Sequence, residues 1–391
     1  MKLAFVVQRY GADIAGGSEA HCRQLAERLS AHHEITVLTT CARDYVTWAN
    51  ALPAGDRRDG SVRVVRFPVR RRRNIKTFAD ISDEVFELTT SRERQDEWFR
   101  ENGPDAPALL EYVRAHGHDF DLVVFWTYRY APSYFGVPLV ADRAVLVPTA
   151  EEDPAIDLSV LRDFFRLPAG YIFLTPEERA LVTGRAGIDL EPATVVGIGV
   201  DPPAPVDAAT ILAKYSIPPD FLLYLGRVDR NKGCDTLLEY FSEYAARQAA
   251  ATLVLAGPAK MQIPEHPRIR ALGYVSDDLR DALLASARAL IVPSPYESLS
   301  IVLLEAWNHG VPALVNGRCR VLQGQIRRAS GGLYYRSSRD FEEALTFLLS
   351  HPGERDALGA QGRAYVDREY RWPTVLGRVE DLLARVVARQ R

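Results

Sequence analysis

The run Tyr224-Leu225-Gly226-Arg227-Val228-Asp229-Arg230-Asn231-Lys232-Gly233 closes an apolar stretch with a glycine turn that carries cations ahead of a helical pattern. Arg227 presents a planar fork of donors and Lys232 a compact point charge, so the two could converge on one diphosphate. Gly226 would let such a ligand approach the backbone. Read alone, the run fits an ordinary surface turn with solvated cations equally well. A second run, Ser294-Pro295-Tyr296-Glu297-Ser298-Leu299-Ser300-Ile301-Val302-Leu303-Leu304-Glu305-Ala306, also follows an apolar stretch. It puts Glu297 in a loop and Glu305 two turns into a helix, beside Val302, Leu303 and Ala306. A carboxylate against such an apolar face needs a partner, which ribose hydroxyls or an internal salt bridge would supply. The small residues Ser298 and Ser300, flanking Leu299, leave the first N–H groups of that helix open, and a helix start attracts anions.

Each run needs a strand to deliver it and a helix to follow. In the C-terminal half the pattern predicts strands at Phe221 to Leu225, Thr252 to Ala256, Ala289 to Pro293 and Val311 to Val315. Helices are predicted at 235–246, 277–288, 301–309, 341–349 and 354–369, and Val375, Leu376, Val379, Leu382, Leu383 and Val386 recur at helical spacing in the last segment. The N-terminal half alternates in the same way. Strands are expected at 3–7, 34–39, 62–67, 121–126, 144–148 and 171–174, and a helix over 18–31 buries Cys22, Leu25, Ala26 and Leu29. Thr175-Pro176-Glu177-Glu178 reads as a helix start, with Thr175 as N-cap and Glu178 closing a capping box. Alternating strands and helices imply an α/β protein with parallel sheets covered on both faces. Between the halves, Gly197 to Pro205 is too rich in glycine and proline for a helix or an interior strand and reads as an interdomain linker.

At 391 residues the chain suits two domains, and its 47% hydrophobic and 25% charged residues are those of an ordinary globular protein. A formal net charge of −3 gives no reason to expect nucleic acid as the partner. No apolar run reaches the roughly 18 residues a membrane helix needs. The start, Met1 to Val7, reads as a first strand, not a signal peptide. Cys22, Cys41, Cys234 and Cys319 are scattered without metal-ligand spacing, so a reducing cytoplasm and no structural zinc are expected. Asp119-Phe120-Asp121 imitates an Asp-x-Asp metal motif but reads as the polar entry to a strand, and no metal is expected.

These residues resemble the retaining glycosyltransferases of family four, with the GT-B fold. Gly226-Arg227 and Lys232-Gly233 match the pairs that follow the first strand of that family's second domain. Glu297 and Glu305 match its two spaced glutamates, and Gly16-Gly17-Ser18-Glu19 is similar to its N-terminal Gly-Gly-x-Glu loop. The resemblance implies two Rossmann-like domains facing across a cleft: residues 1–200, joined by a returning helix at 373–391, and a nucleotide-sugar domain at 201–372. It implies that Arg227 and Lys232 hold the donor diphosphate, Glu305 the ribose and Glu297 the transferred sugar. Gly16 and Gly17 would bring backbone N–H groups to the β-phosphate, and the base would sit near Tyr274 and Val275. The activity implied is transfer of a hexose-type sugar from a nucleoside-diphosphate sugar to a carbohydrate or lipid-linked acceptor, with retention and without cofactor. A nucleotide-sugar epimerase or hydrolase of the same fold is the alternative.

The acceptor side departs from the family, whose members carry a histidine after one of two N-terminal strands. Here those loops read Trp126-Thr127-Tyr128-Arg129-Tyr130 and Thr149-Ala150-Glu151-Glu152-Asp153. Trp126 and Tyr128 would stack on a sugar face, while Arg129, Glu151 and Glu152 would bind hydroxyls. Between Asp56 and Lys76, nine basic residues face two acidic ones, and Arg70-Arg71-Arg72-Arg73 lies within that stretch. Such a run is usually a solvated face; an anionic membrane surface or a phosphorylated acceptor is the other reading, since clustered cations gain ~1 kcal/mol each near anionic lipid.

Overall fold

The computed structural model describes residues 1–14, 16–248 and 251–390. The chain divides into two compact units, Met1–Gly197 with Leu376–Arg391, and Ile198–Val375.

The first unit is built on eight strands: β1 (Lys2–Val6), β2 (Glu34–Thr40), β3 (Gly55–Asp59), β4 (Val62–Phe67), β5 (Leu122–Trp126), β6 (Ala144–Val147), β7 (Gly170–Phe173) and β8 (Ala193–Val195). Their order is β3-β4-β2-β1-β5-β6-β7-β8, parallel throughout except for the β3–β4 hairpin at the edge. The central strands read as unbroken apolar runs because helices cover both faces, as parallel sheets require. Leu122 to Trp126 are all buried. The helix Gly17–Leu29 turns Cys22, Leu25, Ala26 and Leu29 inward. Three helices that the apolar periodicity did not announce, Ile75–Glu87, Arg92–Asn102 and Pro107–His116, fill the return from the sheet edge to β5. The middle one is strongly polar, and buries Trp98 and Phe99 among Phe78, Phe86 and Tyr134.

The second unit carries β9 (Phe221–Leu225), β10 (Thr252–Ala256), β11 (Ile269–Gly273), β12 (Ala289–Val292), β13 (Ala313–Asn316) and β14 (Gly332–Tyr335), all parallel, in the order β11-β10-β9-β12-β13-β14. The chain winds outward from β9 to β11, then restarts at β12 on the other side of β9. That reversal is the topological switch point of a doubly wound sheet, where ligands bind beyond the carboxyl ends of the strands. The corresponding reversal in the first sheet lies between β1 and β5. The helix Cys234–Arg247 docks Leu237, Leu238, Phe241 and Tyr244 on the β9–β10 region.

No helix or strand interrupts residues 196–207. A Cβ on Gly199 would fall 2.2 Å from the Trp372 ring, and Val200 N donates to the Tyr370 carbonyl at 2.7 Å. The helix Trp372–Arg389 buries Val375, Val379, Leu382, Leu383 and Val386. From Leu376 onward it belongs to the first unit, where Val386 lies against Gly170 of β7.

Candidate functional site

The switch point of the second sheet brings the two runs together. β9 ends in Gly226, whose N–H donates to the Ala256 carbonyl at 2.9 Å, and the Tyr224 hydroxyl donates to the Arg227 carbonyl at 2.7 Å. The turn beyond is organised by Asp229, which sequence reading passed over. Its Oδ1 accepts from Lys232 N at 2.9 Å and caps the short helical turn Arg230–Lys232, while its Oδ2 takes the Arg227 Nε–H. One buried carboxylate therefore sets the backbone of one cation and the side chain of the other.

Lys232 Nζ donates to Glu297 Oε1 at 2.8 Å, although 65 residues separate them. β9 and β12 are neighbours, so their terminal loops meet. Gly233 makes that approach possible. It sits at φ 72°, and a Cβ there would lie 2.4 Å from the Pro293 carbonyl oxygen. The Lys232–Glu297 pair is about a third exposed on the lysine side and 13% exposed on the glutamate side. Partly exposed pairs contribute on the order of 1 kcal/mol or less, so a ligand offering phosphate to Lys232 and hydroxyls to Glu297 could exchange for it.

In the 294–300 loop the hydroxyls of Ser294 and Ser300 are buried without a hydrogen-bond partner among the described residues, and Ser300 N donates to Gln325 Oε1 at 3.2 Å. Ser300 is the N-cap of the helix Ile301–Asn308 and makes no side-chain cap, so the first N–H groups of that helix stay available. Leu299 is buried beneath the loop. Glu305 is partly buried on this helix. Loss of water around it pushes its carboxyl up to about 7; the positive field of Arg280 offsets part of the rise, and Asp281 and Asp277 add to it. Its carboxylate makes no hydrogen bond or ion pair among the described residues, so the internal salt bridge left open by the sequence is not formed. Tyr274 follows β11 with its ring 88% exposed, and Val275 is partly buried beside it.

In the first unit the Gly-Gly loop rests on a pair that the motif did not reveal. Arg9, just past β1, donates Nε–H to Glu19 Oε1 at 2.8 Å, and both side chains are at least nine-tenths buried. A Cβ on Gly16 would fall 2.2 Å from the other Glu19 oxygen, so the glycine makes room for the carboxylate to turn back over the helix start. Gly17 opens the helix, and its N–H lies among those that the helix itself cannot satisfy.

Two acceptor-side expectations need correction. Trp126 and Tyr128 are both 1% exposed. Trp126 packs on Phe5 with its Nε1–H donated to His21 Nδ1 at 3.1 Å, and Tyr128 sets its edge against Phe165. Both rings belong to the core because β5 is the central strand beside β1, and neither face is open to a sugar. Arg129 is tied to Asp153 at 2.7 Å, Glu151 is partly buried and Glu152 exposed. Beneath this loop lies fully buried Glu178. The Thr175 hydroxyl caps Glu178 N at 3.1 Å as expected, yet the Glu178 carboxylate reaches further, accepting from Ala150 N at 2.7 Å and Leu174 N at 2.6 Å. Burial pushes its carboxyl up to about 8 against these backbone donors.

The arginine run is largely engaged within its own unit. Arg70 bonds Asp105 at 2.6 Å, Arg71 pairs with Glu101, and Arg73 lies over Trp48 and Phe78 while donating to the carbonyls of Asn102 and Tyr45. Asp119 and Asp121 diverge, toward His116 and the backbone N–H of Lys2.

The family described as Glycosyl transferases group 1 matches residues 219–351. An uncharacterised glycosyltransferase of Methanocaldococcus jannaschii is 26% identical over 164 residues, 39% of this chain and 42% of that protein. A GDP-mannose-dependent monoacylated α-(1-6)-phosphatidylinositol monomannoside mannosyltransferase of Corynebacterium glutamicum is 27% identical over 172 residues, 40% and 45% of the two chains. In these alignments the chain spans less than half the length of either relative. Among solved structures, sucrose-phosphate synthase from Thermosynechococcus elongatus superposes with a TM-score of 0.74 at 18% identity over 99% of both chains. The Anabaena protein HepE, in complex with UDP and glucose, gives 0.70 at 14% identity over 98% of this chain and 100% of that one. With its second sheet inside the matched segment and the fold shared over nearly all of its length, the chain is a two-domain α/β protein of the GT-B type whose residues 219–351 match the family described as Glycosyl transferases group 1.

Proposed function

We propose that the chain transfers a hexose-type sugar from a nucleoside-diphosphate sugar to a carbohydrate or lipid-linked acceptor with retention of configuration. The observation that carries this reading is the meeting of Lys232 and Glu297 at the switch point of the second sheet, with Arg227 fixed beside them by Asp229. Arg227 and Lys232 take the diphosphate, the start of the helix Ile301–Asn308, reached through Ser298, Leu299 and Ser300, adds backbone donors, and Glu297 takes sugar hydroxyls. Gly226 admits the phosphates, and Tyr274 and Val275 border the base. As the anomeric C–O bond breaks, the electron pair goes to the leaving phosphate. The acceptor oxygen bonds the anomeric carbon from the same face, and its proton passes to the departing phosphate oxygen. Cations already in place stabilise the growing negative charge, so the reaction needs no metal. The relatives' names support the donor class. Peripheral seating on an anionic membrane has the least support, since Arg70, Arg71 and Arg73 are engaged in folding contacts.

Product analysis tests the proposal. With UDP-glucose or GDP-mannose and EDTA present, a glycoside product should form only when acceptor is supplied. An epimerised or hydrolysed donor as the sole product, or activity abolished by EDTA and restored by manganese, would contradict it.

Glu305 makes the donor reading sensitive to pH. Ribose hydroxyls donate to its ionised form, so nucleotide-sugar affinity should rise as pH increases through about 7 and level off above. Below that point each pH unit should weaken binding by up to about tenfold, with a proton released on binding. The phosphates of a nucleotide sugar do not titrate there, which isolates the carboxylate. Calorimetry from pH 5.5 to 8.5 should show this slope and its flattening in Glu305→Gln; the same slope in both proteins would assign it elsewhere. Folding has the opposite sign. This carboxyl is raised above the ordinary value of 4.5, so its contribution to stability is full below about 4.5 and is lost as pH rises through about 7.

A further inference from the structure

At the carboxyl ends of β5 and β6 two β-branched residues hold left-handed backbone, Thr127 at φ 64° and Thr149 at φ 48°. This conformation is a genuine outlier for threonine and persists only where the surroundings over-determine it. Here the surroundings are visible. Thr127 N donates to the Val147 carbonyl at 2.9 Å and Tyr128 N to the Pro148 carbonyl at 3.1 Å, which locks the two strand ends together. Glu178 grips Ala150 N from below, and Arg129 bonds Asp153 at the far end of the same loop.

The strain has one evident product. It brings the two hydroxyls together, with Thr149 Oγ1 donating to Thr127 Oγ1 at 2.9 Å. That bond leaves the Thr127 proton free to donate and the Thr149 oxygen free to accept, and neither hydroxyl makes a second hydrogen bond among the described residues. Thr127 is buried at the base and Thr149 is partly exposed above it. The pair stands beside the β1/β5 reversal of the first sheet, where doubly wound sheets bind ligands.

We propose that Thr127 and Thr149 form a hydroxyl clamp for a sugar-type acceptor, Thr149 accepting from one ligand hydroxyl and Thr127 donating to a neighbouring oxygen. The assignment rests on the transferase reading for its acceptor class and replaces the stacking role expected of Trp126 and Tyr128. The substituents for the test are chosen to separate strain from hydroxyl. Valine keeps the shape without the hydroxyl, serine keeps the hydroxyl, and glycine relieves the backbone while removing both.

Saturation-transfer NMR with methyl α-glucoside and methyl α-mannoside on the full chain should show contact with at least one in the parent and in Thr149→Ser. The signal should be lost in Thr149→Val, Thr127→Val and Thr149→Gly. Thr149→Gly should keep or raise Tm despite the lost hydrogen bond, because the strain is maintained for binding. The proposal is overturned by an absent signal in the parent, by an undiminished signal in Thr149→Val and Thr149→Gly, or by a fall in Tm of Thr149→Gly beyond about 2 °C, which would make the pair purely structural. Thermal shifts with UDP-glucose and GDP-mannose, run on the same variants, report the donor side. Their absence in the parent removes the transferase reading, while the glycoside signal judges the clamp on its own.

Discussion

Lys232→Ala is expected to reduce turnover by about 30- to 1000-fold at saturating donor, with a smaller rise in the Michaelis constant. As the glycosidic bond breaks, negative charge grows on the leaving phosphate, so a fixed cation there contributes more to the transition state than to the bound donor. By analogy with single preorganised donors the loss is roughly 2 to 4 kcal/mol. The structure adds a second consequence of the substitution. Removing Nζ takes away the hydrogen bond to Glu297, leaving a mostly buried carboxylate without its cation and so weakening its hold on sugar hydroxyls. Arg227→Ala should lose turnover on the same scale, but Asp229 keeps its cap on Lys232 N, so the turn itself survives. Steady-state kinetics of both variants, with circular dichroism to confirm the fold, checks this. Near-parental turnover at saturating donor in either variant would remove that residue from the leaving-group role.

Gly233→Ala is expected to be as damaging without touching any charge. The new Cβ would meet the Pro293 carbonyl oxygen at 2.4 Å, far inside contact distance, on backbone at φ 72° where only glycine is unstrained. The carbonyl belongs to the end of β12 and cannot swing away as a side chain would, so the two loops must separate. The expected cost is about 2 to 4 kcal/mol of stability, together with loss of the Lys232–Glu297 contact. Denaturant unfolding and donor titration should both register it. A substitution at the solvent-facing Gly353, which has no heavy atom within 4 Å of its added Cβ, should leave both unchanged.

The strands that carry the candidate site were legible because they are buried on both faces. Phe221 to Leu225 and Thr252 to Ala256 are nearly uninterrupted apolar runs, and observed β9 and β10 have those limits. β11 and β14 gave no such signal. β11 is a half-exposed edge strand carrying Arg270, and β14 is four residues long with Tyr334 turned outward. The polar helix Arg92–Asn102 was hidden for the related reason that only a few of its residues carry the burial.

At the site, residue type announced Arg227, Lys232, Glu297 and Glu305, but not the groups that place them. Asp229 looks like any turn aspartate until its two oxygens are seen to serve two different cations. Arg9 and Glu19 are separated by a loop of glycines, and nothing in their spacing says that one will neutralise the other. Glu178 was read as a local cap, whereas its carboxylate also holds a loop 28 residues away. Trp126 and Tyr128 show the opposite error. Aromatic rings at a strand end suggest sugar stacking, but Trp126 is the last residue of the central strand β5, and it and Tyr128 just beyond are both drawn into the core. Strain at Thr127 and Thr149 has no sequence signature, because threonine gives no hint of left-handed backbone.

The most direct test of the account is a thermal-shift panel of nucleotide sugars on the parent and on Lys232→Ala and Glu305→Ala. A donor at 100 times its dissociation constant should add ~2.7 kcal/mol to the parent, identifying base and sugar together, and that shift should shrink in both variants. No shift with any nucleoside-diphosphate sugar, or an equal shift in all three proteins, would contradict the assignment of this site to the donor.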